Sequence, residues 1–299
     1  MLGRTGDVAH SNRLSSYIQG TQERMREAQV AIATGKRAQA YSTIGNQTGV
    51  LLQARDGQQR AEAFVASNNT TADRLNLMDG SLGNILELAD RMKTLLVQRL
   101  DPTIGQSIPL APEIDTMLEE IASQLNARLG DRYLFAGSRT DTPPVVLPAN
   151  VAGPADLDPA TVYRGDEIRP TARAAENVEV TYGLLATDAF EIMNTFAAAK
   201  QAHVAGDTDG IKAASDALAD ALSGLADLRG ELGARSARIE AITETHRANA
   251  AYLGETVSRI EDTDLPSAIA QMSKDQMTIE AAYLTISRLN SLSLADYLR

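Results

Sequence analysis

Residues 211–260 read IKAASDALADALSGLADLRGELGARSARIEAITETHRANAAYLGETVSRI. Alternating steps of three and four from Ile211 meet Ala214, Leu218, Ala221, Leu225, Leu228, Leu232, Ile239, Ile242, Leu253 and Ile260, interrupted only by Arg235, His246, Asn249 and Thr256. That alternation describes a narrow apolar seam facing a partner helix, not the broad face of a helix on a globular core. No proline interrupts the stretch between Ile211 and Pro266, so at 1.5 Å per residue residues 211–260 predict a rod of roughly 75 Å. Beyond Pro266 the stripe resumes with Leu265, Met272, Ile279 and Ile286 seven apart, flanked by Ile269 and Tyr283. A chain ending in such a rod is a structural or interaction protein.

The N-terminal part mirrors this pattern. After ten polar residues expected to be irregular, Leu14, Ile18, Met25 and Ile32 mark a helix over 12–34, closed by Gly35 and followed by Lys36-Arg37. Residues 39–49, rich in Gly, Ser, Thr and Asn, read as a connector. A second long helix is expected from about 50 to 100, with the seam Leu75, Met78, Leu82, Ile85, Ala89, Met92 and Leu96. A third is expected over 112–129, apolar at Ile114, Met117, Leu118, Ile121 and Leu125 and closed by Gly130. The helical period then disappears, and six of the ten prolines fall between Pro143 and Pro170. Short extended pieces at 144–147, 160–164, 167–171 and 177–182 predict a small β-rich insertion that must lean on the helices. From Asp188 the pattern is helical again, breaking at Gly206-Asp207.

The fold expected is therefore mainly α: a long antiparallel helical rod or coiled coil formed by both termini, with a small β-rich insertion in the middle. The division expected is 1–40 and 255–299 as the two halves of an inner helical domain, 41–137 and 186–254 as the two halves of a helical rod, and 138–185 as the insertion.

Composition narrows the function. With aromatics at 4% and no Trp, small-residue helical seams are favoured over a thick core. A net charge of −11 argues against nucleic acid or an anionic membrane as partner. The absence of cysteine removes disulfides, thiolate catalysis and Cys-based zinc sites. Neither a signal peptide nor an apolar run of membrane-spanning length is visible. His10, His203 and His246 lack metal-ligand spacing, and Ala33-Thr34-Gly35-Lys36-Arg37 lacks the upstream glycine and the Ser/Thr of a phosphate loop. Asp207-Thr208-Asp209-Gly210 lacks the closing glutamate of a calcium loop. Glu261, Asp262 and Asp264 read as capping or solvated acids, and Arg164-Gly165-Asp166 as a turn between strands. Asn46-Gln47-Thr48 and Asn68-Asn69-Thr70 match the glycosylation sequon. No catalytic, cofactor-binding or metal-ligating residue is assigned, and no cofactor is expected.

Three segments resemble the flagellin superfamily and, within it, the hook-associated protein 3 family. They are the helix end Ala31-Ile32-Ala33-Thr34-Gly35-Lys36-Arg37, the segment 126–138 with Tyr133-Leu134-Phe135-Ala136-Gly137, and the tail 281–298 closing in Ser291-Leu292-Ser293-Leu294-Ala295-Asp296-Tyr297-Leu298. Tyr163-Arg164-Gly165-Asp166 is similar to a Tyr-x-Gly-Asp of the family's insertion, whereas residues 38–44 lack the usual Asp-Asp pair. The resemblance implies a non-enzymatic junction adaptor between hook and filament, exported by the flagellar type III pathway without a cleaved signal and extracellular once assembled. Implied partners are flagellin, another hook-associated protein on the hook side, further copies in a ring, and an export chaperone with its apparatus. The terminal seams would form the assembly interface through Leu14, Ile18, Met25, Ile32, Leu253, Ile260, Leu265, Met272, Ile279, Tyr283 and Ile286, by folding coupled to assembly. A filament-forming flagellin is the alternative, a cytoplasmic coiled-coil adaptor the more distant one.

Overall fold

The computed structural model describes residues 2–37, 45–103 and 105–297, with side chains at 12–37, 45–103, 105 and 107–288. Helix α1 spans Leu2–Thr34, α2 Thr48–Arg99, α3 Leu110–Leu125, α4 Pro159–Val162, α5 Phe190–Ala205, α6 Thr208–Glu261 and α7 Leu265–Tyr297. Strands β1 Arg128–Leu129 and β2 Arg132–Tyr133 form one antiparallel hairpin, β3 Thr171–Ala175 and β4 Val178–Thr181 another. The chain divides into two units, Met1–Gln59 with Asn249–Arg299, and Arg60–Ala248.

In the first unit α1 and α7 run antiparallel, since Gln22 meets Tyr283 while Arg24 meets Asp275 and Lys36 meets Asp262. The segment expected to be irregular is instead part of α1, which begins at Leu2. Polar residues between 2 and 11 do not by themselves stop a helix whose next turns are held by a partner. Residues 39–44 of the expected connector lie outside the described residues, and Gly45–Gln47 is a single 3-10 turn leading into α2.

In the second unit the seam of α2 is buried from Leu75 to Leu96, as is that of α6 at Ile211, Ala214, Leu218, Ala221, Leu225, Leu232 and Ile239. The pairs Asn69–Arg247 and Asp79–Arg229 show that these two segments are antiparallel. Helix α3 returns along α2, with Arg91 bonded to Glu113 and Asn84 to Gln124. Helix α5 packs on α3 and buries Phe190, Met193 and Phe196. Gly206, at φ 69°, ends α5 in the left-handed region. Asp207 then accepts from the Gly210 amide to start α6.

Two expectations need correction. Helix α3 stops at Leu125, short of 129. The Asn126 side chain pairs with both backbone groups of Val145 at 2.8 and 2.9 Å, which draws the chain out of the helix. Gly130, at φ 60°, turns the β1–β2 hairpin rather than capping a helix. The insertion is also poorer in strand than predicted. Residues 160–162 lie in α4, where Asp158 accepts from the Ala160 amide, and 144–147 make only an isolated bridge from Val145 to Tyr163. Proline density there supplies turns and helix starts as readily as strand ends.

Candidate assembly surfaces

Helices α1 and α7 meet along matched repeats. On α1 the inward residues are Leu14, Ile18, Thr21, Met25, Ala28 and Ile32. On α7 they are Ala268, Met272, Asp275, Ile279, Ala282 and Ile286. Ile18 is 6% exposed and Ile279 9%. The position beside each large residue of α7 is thus filled by Ala268, Asp275 and Ala282, not by Ile269 and Tyr283 as the sequence reading placed them. Tyr283 is 51% exposed, with its hydroxyl accepting from Gln22 at the rim. Leu265, the first residue of α7, is 43% exposed. Leu253 is half-buried and Ile260 buried at the end of α6. At Gly57 of α2 a Cβ would come within 3.0 Å of the Leu253 side chain, so glycine admits this contact. Exposed apolar side chains at Leu265, Ile269, Met277, Tyr283 and Leu284 remain on the outside of α7.

Where α1 ends and α6 gives way to α7, the chain is clasped. The Arg37 amide donates to the Glu261 carbonyl at 2.6 Å, and the Thr263 amide to the Gly35 carbonyl at 3.0 Å. Lys36 Nζ reaches Asp262 and, at 3.5 Å, Glu261, whose other oxygen takes Arg55. Glu261 is buried, and two cations offset the loss of its hydration. The hydrogen bond to Asp262 raises the pKa of Lys36, and the same bond, with one from Ser258, lowers that of Asp262. Asp264 does cap α7, accepting from the Ser267 amide. The clasp was missed in the sequence because its acids and bases are each ordinary locally. Opposite charges at the facing ends of helices expected to be antiparallel were the available signal.

In the second unit the segment 133–137 meets the Tyr163-Arg164-Gly165-Asp166 piece. Tyr133 stacks beneath Arg128, whereas Leu134, Phe135 and Ala136 are buried. The Tyr163 hydroxyl donates to the Asp166 carbonyl at 2.7 Å, and the Asp166 amide to the Ala136 carbonyl at 3.2 Å. The Asp166 carboxylate accepts from the amides of Ser138 and Ile168 at 2.8 and 3.0 Å and from the Ser138 hydroxyl. These bonds from Ser138 hold its pKa below the usual carboxylate range. Burial pushes the Tyr163 phenol up to about 12. Asp166 of the Arg-Gly-Asp triplet is therefore spent within the fold. Asn68 of one sequon is buried with its amide on the Ala174 carbonyl. His246 stacks on Phe64 and reaches the same carbonyl, and His203 accepts from Arg99. The His10 side chain lies outside those described. No group of three metal-ligating residues occurs among the described residues, nor a helix long and apolar enough to cross a membrane.

These arrangements have counterparts. The bacterial flagellin N-terminal helical region matches residues 8–140 and the C-terminal helical region residues 215–298, together well over half of the chain. Flagellar hook-associated protein 3 of Escherichia coli K12 is 22% identical over 286 residues, covering 88% of this chain and 89% of that protein. Among solved structures, a Vibrio parahaemolyticus protein described as flagellar hook-associated superposes with a TM-score of 0.61 at 14% identity, over 72% of this chain and 97% of that one. FlgL of Xanthomonas campestris does so at 0.54 and 15%, over 67% and 99%. The junction protein FlgL of Legionella pneumophila does so at 0.51 and 13%, over 73% and 99%. With both the N-terminal and the C-terminal helical regions matched, this chain belongs to the bacterial flagellin family.

Proposed function

We propose that this chain is a structural subunit of the bacterial flagellum, a junction adaptor joining the hook, through another hook-associated protein, to the flagellin filament. The observation that carries this reading is similarity to hook-associated protein 3 over nearly the whole of both chains. It includes the insertion, which the two flagellin regions do not cover in full. The chain acts by packing, not by chemistry. Residues buried between α1 and α7 hold the subunit's own helix pair, and the exposed apolar residues of α7, Leu265 and Tyr283 among them, meet neighbouring subunits. Burying those residues in a ring offsets the entropy of ordering the terminal helices. Export takes the flagellar route with its chaperone and without signal cleavage, which places the assembled protein outside the cell.

The test is deletion of the gene in its motile source, with electron microscopy of the cell surface and an assay of flagellin in the medium. Finished hooks without filaments, and unpolymerised flagellin shed into the medium, are expected. Loss of the main filament subunit from both would make the chain a filament-forming flagellin instead. Unchanged motility and secretion would overturn the flagellar assignment for a chain without a paralogue.

A further inference from the structure

The seam between α1 and α7 has one polar layer. Both helices repeat with the same alternation of four and three, so sliding one along the other by seven residues would again set apolar against apolar. Among the described inward side chains only Thr21 and Asp275 break this degeneracy, and both are buried. Arg24 Nη2 donates to Thr21 Oγ1 at 3.0 Å and lies 3.5 Å from Asp275 Oδ1, which also accepts from Gln271 at 3.1 Å. Asp275 Oδ2 is buried without a hydrogen-bond partner.

We propose that Asp275, paired with an Arg24 that Thr21 positions, sets the register of the terminal helix pair. A slip of one heptad in either direction replaces Arg24 by Tyr17 or Ala31, and Thr21 by Leu14 or Ala28. The carboxylate then loses its cation and faces Leu14 or Ala28 in the seam, with Gln271 of its own helix and, in one direction only, the Tyr17 hydroxyl left as donors, a penalty that no other layer of described side chains imposes. Burying a charge without its cation disfavours the slipped state far more than the native pair gains from the bond. A polar residue at one seam position is a known way of selecting register at some loss of stability. The inference is independent of the flagellar assignment, since it concerns the packing of one chain.

The absence of native cysteine makes the test direct. Nitroxide labels are placed on cysteines substituted for Val30 and Leu284, both on exposed surface, in the full-length chain with trimethylamine N-oxide added to order the terminal helices without a ring, and their separation is read by pulsed electron paramagnetic resonance. Because the two positions are displaced along the helix axis, a heptad slip of about 10 Å changes that separation. One distance is expected in the otherwise unaltered chain and in Asp275→Asn, which keeps acceptors for Arg24 and Gln271. A second population, displaced by up to about 10 Å, is expected in Asp275→Leu. A single unshifted distance in Asp275→Leu would overturn the proposal and assign the register to the Gly35–Thr263 backbone bridge. So would a broad distribution in the unaltered chain, or a slip in Asp275→Asn as large as in Asp275→Leu.

Discussion

The Tyr163 hydroxyl donates to the carbonyl of Asp166 three residues on, and the loop so closed sits on Phe135, Ala136 and Gly137. Tyr163→Phe keeps the ring on Phe190 and leaves the Asp166 carbonyl without its donor, for an expected loss of about 1 kcal/mol in urea unfolding. The alkaline limb gives a second readout. Burial pushes the folded phenol up to about 12 from the ordinary tyrosine value of 10.0, so the native state holds its proton longer and stability falls as pH rises between the two. Tyr163→Phe should lack that part of the decline.

Gly137 and Gly130 both lie at positive φ, 69° and 60°, but in different surroundings. A Cβ at Gly137 would overlap the Asp166 carboxylate and carbonyl, whereas one at Gly130 meets nothing within 4 Å. Gly130→Ala should therefore cost only the conformational strain, about 1 kcal/mol. Gly137→Ala should cost more, roughly 2–4 kcal/mol, and should loosen the 163–166 loop. Equal melting temperatures for the two variants would contradict this.

Acid should weaken the fold through identifiable carboxylates. Hydrogen bonds lower the pKa of Asp79 (from Arg229), Asp166 (from Ser138) and Asp262 (from Lys36). A depressed folded value means that the stabilisation is complete above the unfolded pKa, about 3.9, and is lost as pH falls through the folded values. Melting temperature should drop steeply below about pH 4, and less steeply in Asp79→Asn. A profile for Asp79→Asn parallel to that of the unaltered chain would remove Asp79 from the account.

Buried and exposed members of the terminal stripe should separate by assay. Ile279→Ala removes a seam side chain and should weaken the α1–α7 pair by roughly 1–3 kcal/mol, less than a fully enclosed core deletion because Ile279 keeps a little exposure. Tyr283→Ser should leave the unfolding of the isolated chain within about 0.5 kcal/mol and, on the proposed function, reduce its incorporation into flagella. Met92→Ala, in the sealed core of the second unit, should cost about 2–5 kcal/mol without bearing on assembly directly.

Much of the architecture was legible because helical seams are local and periodic. The alternation at Leu75–Leu96 and Ile211–Ile239 was readable from spacing alone, and those side chains are buried except Leu228 and Arg235, which are half-buried. Helix ends were less legible. Asn126 terminates α3 by reaching Val145, a partner nineteen residues away, and no local rule names that partner. The terminal seam shows the same limit at finer scale. Seven-residue spacing identified Met272, Ile279 and Ile286, but the neighbouring column was read as Ile269 and Tyr283, large residues, when the close approach of α1 uses Ala268, Asp275 and Ala282.

The amino-acid sequence by itself determined that the chain is a set of long paired helices with an interrupting insertion, since heptad spacing, absent cysteine and clustered proline act within a few turns of where they stand. Only the tertiary structure decided which charges neutralise one another. Lys36 and Arg55 converge on Glu261, and Asp166 turns inward onto Ser138. Electrostatic and hydrogen-bond energies depend on distances between residues remote in sequence, and folding alone sets those distances.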